Sequence, residues 1–335
     1  MTIPHKILIF TILSILFLYG CTKAGNGDST NGQGEEITFS PSFSTSAVPA
    51  KADLYDETNI ISKDGEGDFS VIAYKTGTKT KHFLQHERVS YWFGNWVFYD
   101  EQSNTDYKRY WPQTYALDFF AFMPYDFADR QDNYIAIDPV NQKISCTIPL
   151  DKAGQEAAHE FVYAFKVNQT ADKDNGTPRV GNDVEITFRH LFAAVRFVLG
   201  EAHGNTVIHS VGLADMKYKE TFDIPSALWT LTGASGTMNI DTDDIKVGAG
   251  LNTGGMIGGT QLVIPQSTSG VKVTVSFTWN EEKKDASVDL GSGQWEPGHI
   301  YTYKLNLGDN EEDILGNVTV EPWDAEPYKH PIPVE

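Results

Sequence analysis

The feature that most constrains the fold of this chain is a two-residue alternation of apolar and polar side chains, repeated in many short segments. Lys143–Leu150 (KISCTIPL) and Val271–Trp279 (VKVTVSFTW) are examples. Successive side chains of a β-strand point to opposite faces, so this period predicts strands with one buried face. Helical periodicity is nearly absent, and Gly, Pro and Asp separate the segments. The chain is therefore predicted to be all-β and built from β-sandwiches.

The polar segment Asn168–Asp183 (NQTADKDNGTPRVGND) divides the predicted strands into two groups and has no apolar face that could pack on a core. The predicted strands span 68–75, 117–124, 134–138, 143–150 and 160–167 before this segment, and 184–188, 193–200, 206–213, 260–266, 271–279, 300–307 and 317–323 after it. The sequence thus predicts two β-sandwich domains in tandem, residues 37–182 and residues 183–335. Roughly 300 residues are enough for two domains of ordinary size.

The start of the chain predicts an export signal rather than part of the fold. Lys6 supplies a positive charge, and residues 7–18 are apolar except for Thr11 and Ser14. This run is shorter than the roughly 20 residues that a membrane-spanning helix needs, and its length suits a signal peptide. It ends in LYGC, which resembles the bacterial lipobox, in which the cysteine (here Cys21) is lipidated. The alternatives are an ordinary signal peptide with an incidental cysteine, or a buried helix.

We therefore expect residues 1–20 to be a lipoprotein signal peptide and Cys21 to carry a lipid anchor. Acyl chains contribute about 0.8 kcal/mol per buried CH₂, so several chains together anchor a protein stably. Residues 21–36 are rich in Gly, Ser, Asn and Thr and cannot bury enough apolar surface to fold. They are predicted to be a flexible tether.

The charge of the chain argues against nucleic acid and anionic membranes as partners, and its cysteines argue against an intrachain disulfide. The 26 basic and 45 acidic residues give a formal charge of −19 without any basic block, which argues against nucleic acid or an anionic membrane surface as a partner. Cys146 shares one face of its predicted strand with Ile144 and Ile148, which predicts a buried thiol rather than a nucleophile. With Cys21 assigned to the lipid, no intrachain disulfide is expected, so packing must supply the stability.

No constellation of residues predicts catalysis or a bound cofactor. The glycine cluster Gly248–Gly259 lacks both the dinucleotide fingerprint and a P-loop lysine, and Gly233–Gly236 is one residue short of a nucleophile elbow. The acidic segments Asp241–Asp244 and Asp172–Gly176 lack EF-hand spacing, so solvated turns are favoured over calcium sites. We expect no enzyme, metal or cofactor; an enzyme with an unrecognised site is the least favoured alternative.

One aromatic hairpin has two interpretations. In YWFGNWVFY the turn is predicted at the Gly-Asn pair that begins at Gly94, which places Tyr91 opposite Phe98. Both faces of this hairpin are apolar, which indicates either full burial or an exposed patch. Core or interdomain packing is favoured, and the alternative is a platform that binds a ligand such as a glycan through Trp92 or Trp96.

Four parts of the chain together resemble one family. The lipobox with its tether comes first, followed by YWPQTYALDFFAFMPYD (110–126), FRHLFAAVRFVL (188–199), and WEPGHIYTYKLNL (295–307) with VTVEPW (318–323). Each segment is weakly specific alone. In this order they are similar to the fimbrillin family of type V pilus subunits, through its Trp-Pro…Phe-Phe-Ala-Phe-x-Pro block, its His-containing second-domain opening and its C-terminal Trp-x-Pro-Gly-x-x-Tyr-x-Tyr signature.

The resemblance implies two transthyretin-like β-sandwich domains in a structural or adhesive subunit of a cell-surface fimbria. In that family a lipidated precursor reaches the outer membrane, where a trypsin-like protease removes the lipid, the tether and the first strand. The C-terminal strand of a like or related subunit then fills the vacated groove. The implied cleavage lies between Lys51 and Ala52, at a position where arginine is the more familiar residue. A host protein or glycan is a further potential ligand.

The segment EITFSPSFST matches the first strand that this exchange requires. Ile37, Phe39 and Phe43 share one face, hydroxyl side chains occupy the other, and Pro41 confines the strand to a sheet edge. These three apolar residues are the candidate removable strand. A permanent first strand would show the same alternation, so the pattern alone does not separate the two hypotheses.

The segment ILGNVTVEPW matches the donated strand. Strict alternation would place Ile314, Gly316, Val318 and Val320 on one face, and the apolar three are the candidate donor residues. Burying three or four such side chains in a vacated groove would contribute roughly 6–10 kcal/mol. The rival hypothesis is a lipoprotein that stays monomeric and binds glycan through exposed aromatic side chains.

Overall fold

The structure, a computed structural model, describes residues 34–43, 68–78, 82–92, 94–100, 102–125, 134–158, 160–249, 251–308 and 314–322. Within these ranges the chain forms β-strands and one short helix, α1 (Lys152–Ala157), whose N-cap residue Asp151 accepts a hydrogen bond from Gly154 N at 2.9 Å. The predicted all-β class is confirmed. In this described part of the chain, no helix has the length and apolar character that crossing a membrane requires.

The first eleven strands are β1 (Phe39–Phe43), β2 (Phe69–Lys75), β3 (His82–Trp92), β4 (Asn95–Asp100), β5 (Thr105–Tyr107), β6 (Leu117–Met123), β7 (Ile135–Asp138), β8 (Lys143–Thr147), β9 (Val162–Gln169), β10 (Lys173–Asp174) and β11 (Thr177–Pro178). The next eleven are β12 (Val184–His190), β13 (Ala193–Ala202), β14 (Val207–Lys217), β15 (Lys219–Asp223), β16 (Leu228–Thr230), β17 (Ser235–Lys246), β18 (Met256–Val263), β19 (Lys272–Trp279), β20 (Glu282–Asp289), β21 (His299–Leu307) and β22 (Leu315–Pro322). Helix α1 lies between β8 and β9.

The largest sheet contains eight strands in the order β1-β12-β9-β6-β2-β3-β4-β5. All neighbours pair antiparallel except β1 and β12, which are parallel. Phe119 and Ala121 of the central strand β6 face one core cluster, whereas Phe120 and Phe122 face another. Because both faces of the sheet are covered, β2 and β6 are buried along almost their whole length and do not alternate between buried and exposed residues.

Three four-stranded sheets form most of the remainder, in the orders β16-β15-β8-β7, β18-β13-β21-β22 and β17-β14-β19-β20. The last two contribute to one shared apolar core, with Phe197 from β13 and Val275 from β19 among its members. The first covers one face of the eight-stranded sheet, where the ring of Phe222 on β15 lies 5.0 Å from that of Tyr163 on β9. Apolar faces are thus buried between layers, as in β-sandwiches.

Two sheets join the segments on either side of residue 183. Strand β12 begins at Val184 and pairs with β9 and β1, which precede it. Strand β15 pairs with β8, with Phe222 opposite Ile144. The expected division into residues 37–182 and 183–335 stays a prediction, and backbone ladders cross its boundary.

Cys146 lies on β8 and is 1% exposed. Burial raises the pKa of its thiol well above the ordinary value. Because the thiolate is the reactive form, this cysteine is a packing residue, and the predicted buried thiol is confirmed.

The segments around Phe192 and Trp295, which are about one hundred residues apart in the sequence, meet at one corner of the fold. Gly298 N donates to Phe192 O at 2.9 Å, and the φ of Gly298 is +72°. A side chain on Gly298 would approach the His190 ring at 3.2 Å, so glycine is favoured by both conformation and space. The fully buried Trp295 donates from Nε1 to the Tyr303 hydroxyl at 2.8 Å.

Candidate functional site

The first described segment, residues 34–43, lies across both edges of the eight-stranded sheet, and we name it the closing segment. On one side β1 pairs in parallel with β12, from Phe39 opposite Val184 to Phe43 opposite Phe188. Val184 N donates to Thr38 O at 2.8 Å at the start of this ladder. The ladder spans five residue pairs, and β1 is the terminal strand of the sheet.

On its other side the closing segment binds the chain just after β5, the strand at the opposite edge of the sheet. Ile37 N donates to Arg109 O at 2.8 Å, and Trp111 N donates to Glu35 O at 3.0 Å. Glu36 and Tyr110 form an antiparallel bridge between these two hydrogen bonds. The sheet is therefore curled, and the closing segment joins its two edges.

The apolar side chains of the closing segment point into the interior of the curled sheet. Ile37 is 2% exposed, Phe39 3% and Phe43 8%. Thr38 is half-buried, Ser40 and Ser42 are exposed, and this alternation divides the segment into an apolar inner and a hydroxyl outer face.

Phe39 occupies the centre of the inner cluster. Its ring meets those of Phe69, Phe98 and Phe119 edge to face, at centroid distances of 5.7, 5.6 and 5.7 Å. These three rings come from β2, β4 and β6, so a side chain on the terminal strand contacts three strands that lie in the interior of the sheet order. Aromatic contacts of this geometry contribute about 0.5–1.5 kcal/mol each beyond the area they bury.

Charged contacts contribute little to holding the closing segment. Its ion pair, Glu36 with Lys108 at 2.7 Å, is solvent-exposed at the lysine, and solvent screening weakens pairs of this kind. A better-buried pair joins Glu87 to Arg109 at 3.0 Å. It holds the segment that follows β5, not the closing segment itself. The closing segment is thus held by apolar burial and main-chain hydrogen bonds.

Strand β22 contains the candidate donor residues Val318 and Val320, and the third candidate, Ile314, directly precedes it. Among the residues that the structure describes, β22 lies at the edge of its own sheet and pairs with β21 alone. Val318 is 45% exposed and Val320 is 51% exposed, whereas Ile314 is 1% exposed and belongs to the core. The two valines are thus accessible apolar side chains on a sheet edge, an arrangement that proteins usually avoid.

The expected single face for the donor residues is wrong in one respect. The pairing of β21 with β22 shifts register between Tyr303 and Leu305, so Leu315 lies opposite Leu305 while Val318 lies opposite Tyr303. Because the shift inserts one residue into β22, strict alternation is broken, and Ile314 does not continue the row of the two valines.

The aromatic hairpin pairs differently from the prediction. Tyr91 lies opposite Trp96, not Phe98, and Trp92 lies opposite Asn95. Trp96 packs on Phe69 with ring centroids 5.5 Å apart and belongs to the core periphery. Trp92 lies on the outer face, 38% exposed, with its ring 5.6 Å from that of Tyr99. Core packing therefore describes Trp96, and an exposed aromatic surface describes Trp92.

The predicted lipidation and cleavage residues lie outside the described part of the chain, and the acidic segments lie within it. The residues outside it are Cys21, Lys51 and Ala52. Among the residues the structure describes, no group of three His, Cys, Asp or Glu side chains could hold a metal ion. In one of the acidic segments, Asp174 instead accepts hydrogen bonds from Lys166 and Gln169.

The second anchor of the closing segment cannot be recognised in the sequence. Trp111 was noted within a family-like block, but its role is structural: its ring meets Phe119 at 5.7 Å and Arg179 lies over it at 5.4 Å. The hydrogen bonds of this anchor are between main-chain groups, which carry no side-chain signal. The side-chain feature at this anchor is the buried Trp111, two residues after Arg109.

Comparison with known proteins gives a family and a fold. A family model described as fimbrillin-like matches residues 51–323. A fimbrial protein from Bacteroides vulgatus is 14% identical, with a TM-score of 0.57 over 86% of this chain and 99% of that one. The fimbrial anchor protein Mfa2 from Porphyromonas gingivalis is 12% identical, with a TM-score of 0.43 over 87% and 98%. Comparison with curated protein sequences gives no match.

Replacing Phe39 by alanine should destabilise the protein strongly, because the cavity would lie among three aromatic rings. We expect the free energy of unfolding to fall by about 3–5 kcal/mol. Ser40→Ala, on the exposed face of the same strand, is the matched control and should change it by less than about 0.5 kcal/mol. Urea titration of both variants measures the difference, and equal small effects would contradict the central position of Phe39.

Proposed function

The chain belongs to the fimbrillin-like family, and from this premise we propose that it is a structural subunit of a cell-surface fimbria that polymerises by strand exchange. The matched region covers residues 51–323 and begins after the closing segment. The family and its solved relatives are structural fimbrial or adhesion proteins, which favours a structural over an enzymatic role.

The observation that carries the proposal is the position of the closing segment. It contains a terminal strand that pairs in parallel with β12 over five residues, two main-chain hydrogen bonds join it to residues 109–111, and it buries three apolar side chains. A strand of this kind can leave without breaking a central ladder. Its departure would open a groove lined by Phe69, Phe98, Phe119 and Phe188.

Such a groove cannot remain empty in water. It would expose aromatic rings together with the main-chain groups of β12, which would become an unpaired sheet edge once β1 had left. A β-strand from another subunit satisfies both demands, because it supplies apolar side chains and a hydrogen-bonding backbone. A strand donated head to tail generates an open filament rather than a closed ring.

The proposed donor is strand β22 together with Ile314, which directly precedes it, and the candidate apolar residues are Ile314, Val318 and Val320. It lies at a sheet edge, and both valines are exposed in the isolated chain. Its release would break one ladder, that with β21, and would uncover little apolar surface around the valines. The chain thus holds a strongly buried first strand and a weakly buried last strand.

The same proposal assigns the start of the chain to export and processing. Cys21 would anchor the precursor in the outer membrane through its lipid, and a trypsin-like protease would cut between Lys51 and Ala52. This cut would release the lipid, the tether and the closing segment together, because all three precede residue 51. Proteolysis would then be the step that converts an anchored monomer into a subunit of the fimbria.

A second candidate function is glycan binding by a subunit that does not polymerise. The exposure of Trp92 beside Tyr99 favours it, since aromatic side chains on a surface suit the apolar face of a sugar ring. This rival requires the closing segment to stay in place, so the processing experiment below separates the two functions.

Replacing Lys51 by glutamine should block processing and polymerisation together. Material sheared from cells that produce the unsubstituted chain should begin at Ala52 and give a ladder of multimers on an unheated denaturing gel. The Lys51→Gln chain should keep its lipid at Cys21 and run as a monomer, because the cleavage requires a basic residue. Mass spectrometry of the N-terminus measures the cut.

Lys51→Arg is the matched control, since it keeps the basic side chain, and it should be processed and form multimers. A Lys51→Gln chain that forms the same ladder with an intact N-terminus would contradict the proposed processing. An unsubstituted chain that is still acylated and monomeric would favour the glycan-binding rival.

Replacing Val320 by aspartate should abolish multimers without unfolding the subunit. The side chain is half exposed in the isolated chain, so the free energy of unfolding should change by less than about 1 kcal/mol. In the groove the same carboxylate would be buried without a partner, at a cost of several kcal/mol. Thr319→Asp, at the neighbouring exposed position, is the control and should still form the series of multimers on an unheated denaturing gel. Loss of the multimers in both variants, or in neither, would contradict the assignment.

A further inference from the structure

We propose that the last strand of a second copy enters the groove in the same direction as β1, with Val318 in the place of Ile37, Val320 in the place of Phe39 and Pro322 in the place of Pro41. This inference rests on the proposed function and adds its direction and register. It identifies the donor as a structural copy of the strand it replaces.

A short internal repeat carries the first step. The closing segment contains Ile-Thr-Phe-Ser-Pro at residues 37–41, and β22 contains Val-Thr-Val-Glu-Pro at residues 318–322. In both, two apolar residues flank a threonine, a polar residue follows, and a proline ends the pattern. The correspondence stops there, since Asp324 would fall in the place of Phe43. It therefore covers the Ile37 and Phe39 positions and leaves the third pocket out.

The burial of the closing segment agrees with this alignment. Ile37 and Phe39 are buried, whereas the intervening Thr38 is half-buried and Ser40 is exposed. Placed in the same register, β22 would direct its two valines inwards, and Thr319 and Glu321 outwards. Each apolar residue then enters a pocket, and each polar residue remains in water.

The two prolines determine the phase of the strand. Val184 N donates to Thr38 O, and Ile37 N donates to Arg109 O, each at 2.8 Å. Neighbouring residues of the closing segment therefore direct their main-chain groups to opposite sides. Pro41 lies four residues beyond Ile37 and so directs its nitrogen away from β12, where the ladder needs no donor. Pro322 would fall at this same tolerant position.

The prolines also determine the direction. If β22 entered in the same direction with Val320 in the place of Phe39, Val318 would replace Ile37 and keep an N–H for Arg109 O. If it entered in the opposite direction, Pro322 would replace Ile37. Proline has no N–H, so Arg109 O would lose its hydrogen bond. The parallel orientation is therefore favoured over the antiparallel one.

Two differences between the strands predict how the complex departs from the isolated chain. Valine is smaller than phenylalanine, so Val320 would underfill the pocket between Phe69, Phe98 and Phe119. Glu321 would also face Glu185, the partner of Ser40 in the present ladder, and like charges opposite each other are unfavourable. A substitution that removes either feature should therefore strengthen the binding of the donor strand in the groove.

Disulfide trapping between two full-length copies tests the register. One copy carries Glu185→Cys, the other carries Glu321→Cys, and tags of different size distinguish them. Both positions are exposed in the structure, so neither substitution disturbs the core. Opposed residues on neighbouring strands lie about 4.8 Å apart, within the range that a disulfide spans. After oxidation of sheared material we expect a disulfide-linked species that contains both tags.

The matched control pairs the same Glu185→Cys copy with a Thr319→Cys copy. An antiparallel strand, or a parallel strand shifted by two residues, would place residue 319 opposite residue 185. The proposal predicts at least about ten-fold more cross-linking at 321 than at 319. Multimers that cross-link mainly at 319, or at neither position, would overturn the register and leave strand exchange standing. If no multimers form, the proposed function fails, and this inference fails with it.

A second measurement does not depend on thiol geometry. Val320→Phe should fill the pocket of Phe39 and lengthen the survival of multimers in detergent at fixed temperature by about ten-fold. Val318→Phe is the control and should shorten it, because the place of Ile37 holds a smaller side chain. Equal effects of the two substitutions would contradict the proposed alignment.

Discussion

The structure depends on how a curled sheet with two open edges is closed. The closing segment hydrogen-bonds to β12 at one edge and to residues 109–111 beside the other edge. Phe39, on the terminal strand β1, contacts three strands from the interior of the sheet order, β6, β2 and β4. A segment at the periphery of the sheet thus completes its interior. This segment makes few main-chain pairings, but its Phe39 ring is deeply buried among other aromatic rings. The proposed exchange follows from this combination.

The edges of the sheets differ in a way that agrees with that account. Strand β20 is also a sheet edge, but it carries alternating charges, with Lys283 3.5 Å from Asp285. Charged edges discourage pairing with other chains. Strand β22 instead presents Val318 and Val320. The β20 edge is thus protected against association, whereas the β22 edge is suited to it, and this difference agrees with donation of β22 to another subunit.

Local patterns predicted the class and many of the strands. Alternation in KISCTIPL gave a strand with a buried Cys146, and alternation in EITFSPSF gave the inner and outer faces that the structure has. Pairing was much harder to predict, because partners such as Phe39 and Val184 are distant in sequence and meet through main-chain groups. The register shift in β22 and the altered hairpin pairing of Tyr91 escaped for a related reason: neither leaves a clear trace in side-chain order.

The central claim is that the closing segment can leave while the rest of the fold persists. Native-state hydrogen exchange of the full chain measures this directly, by comparing amides of the ladder between β1 and β12 with amides of the ladder between β6 and β9. The account predicts that the Val184 amide, which donates to Thr38, exchanges through a partial opening of lower free energy than global unfolding. Exchange of both ladders only through one shared global unfolding step would contradict it.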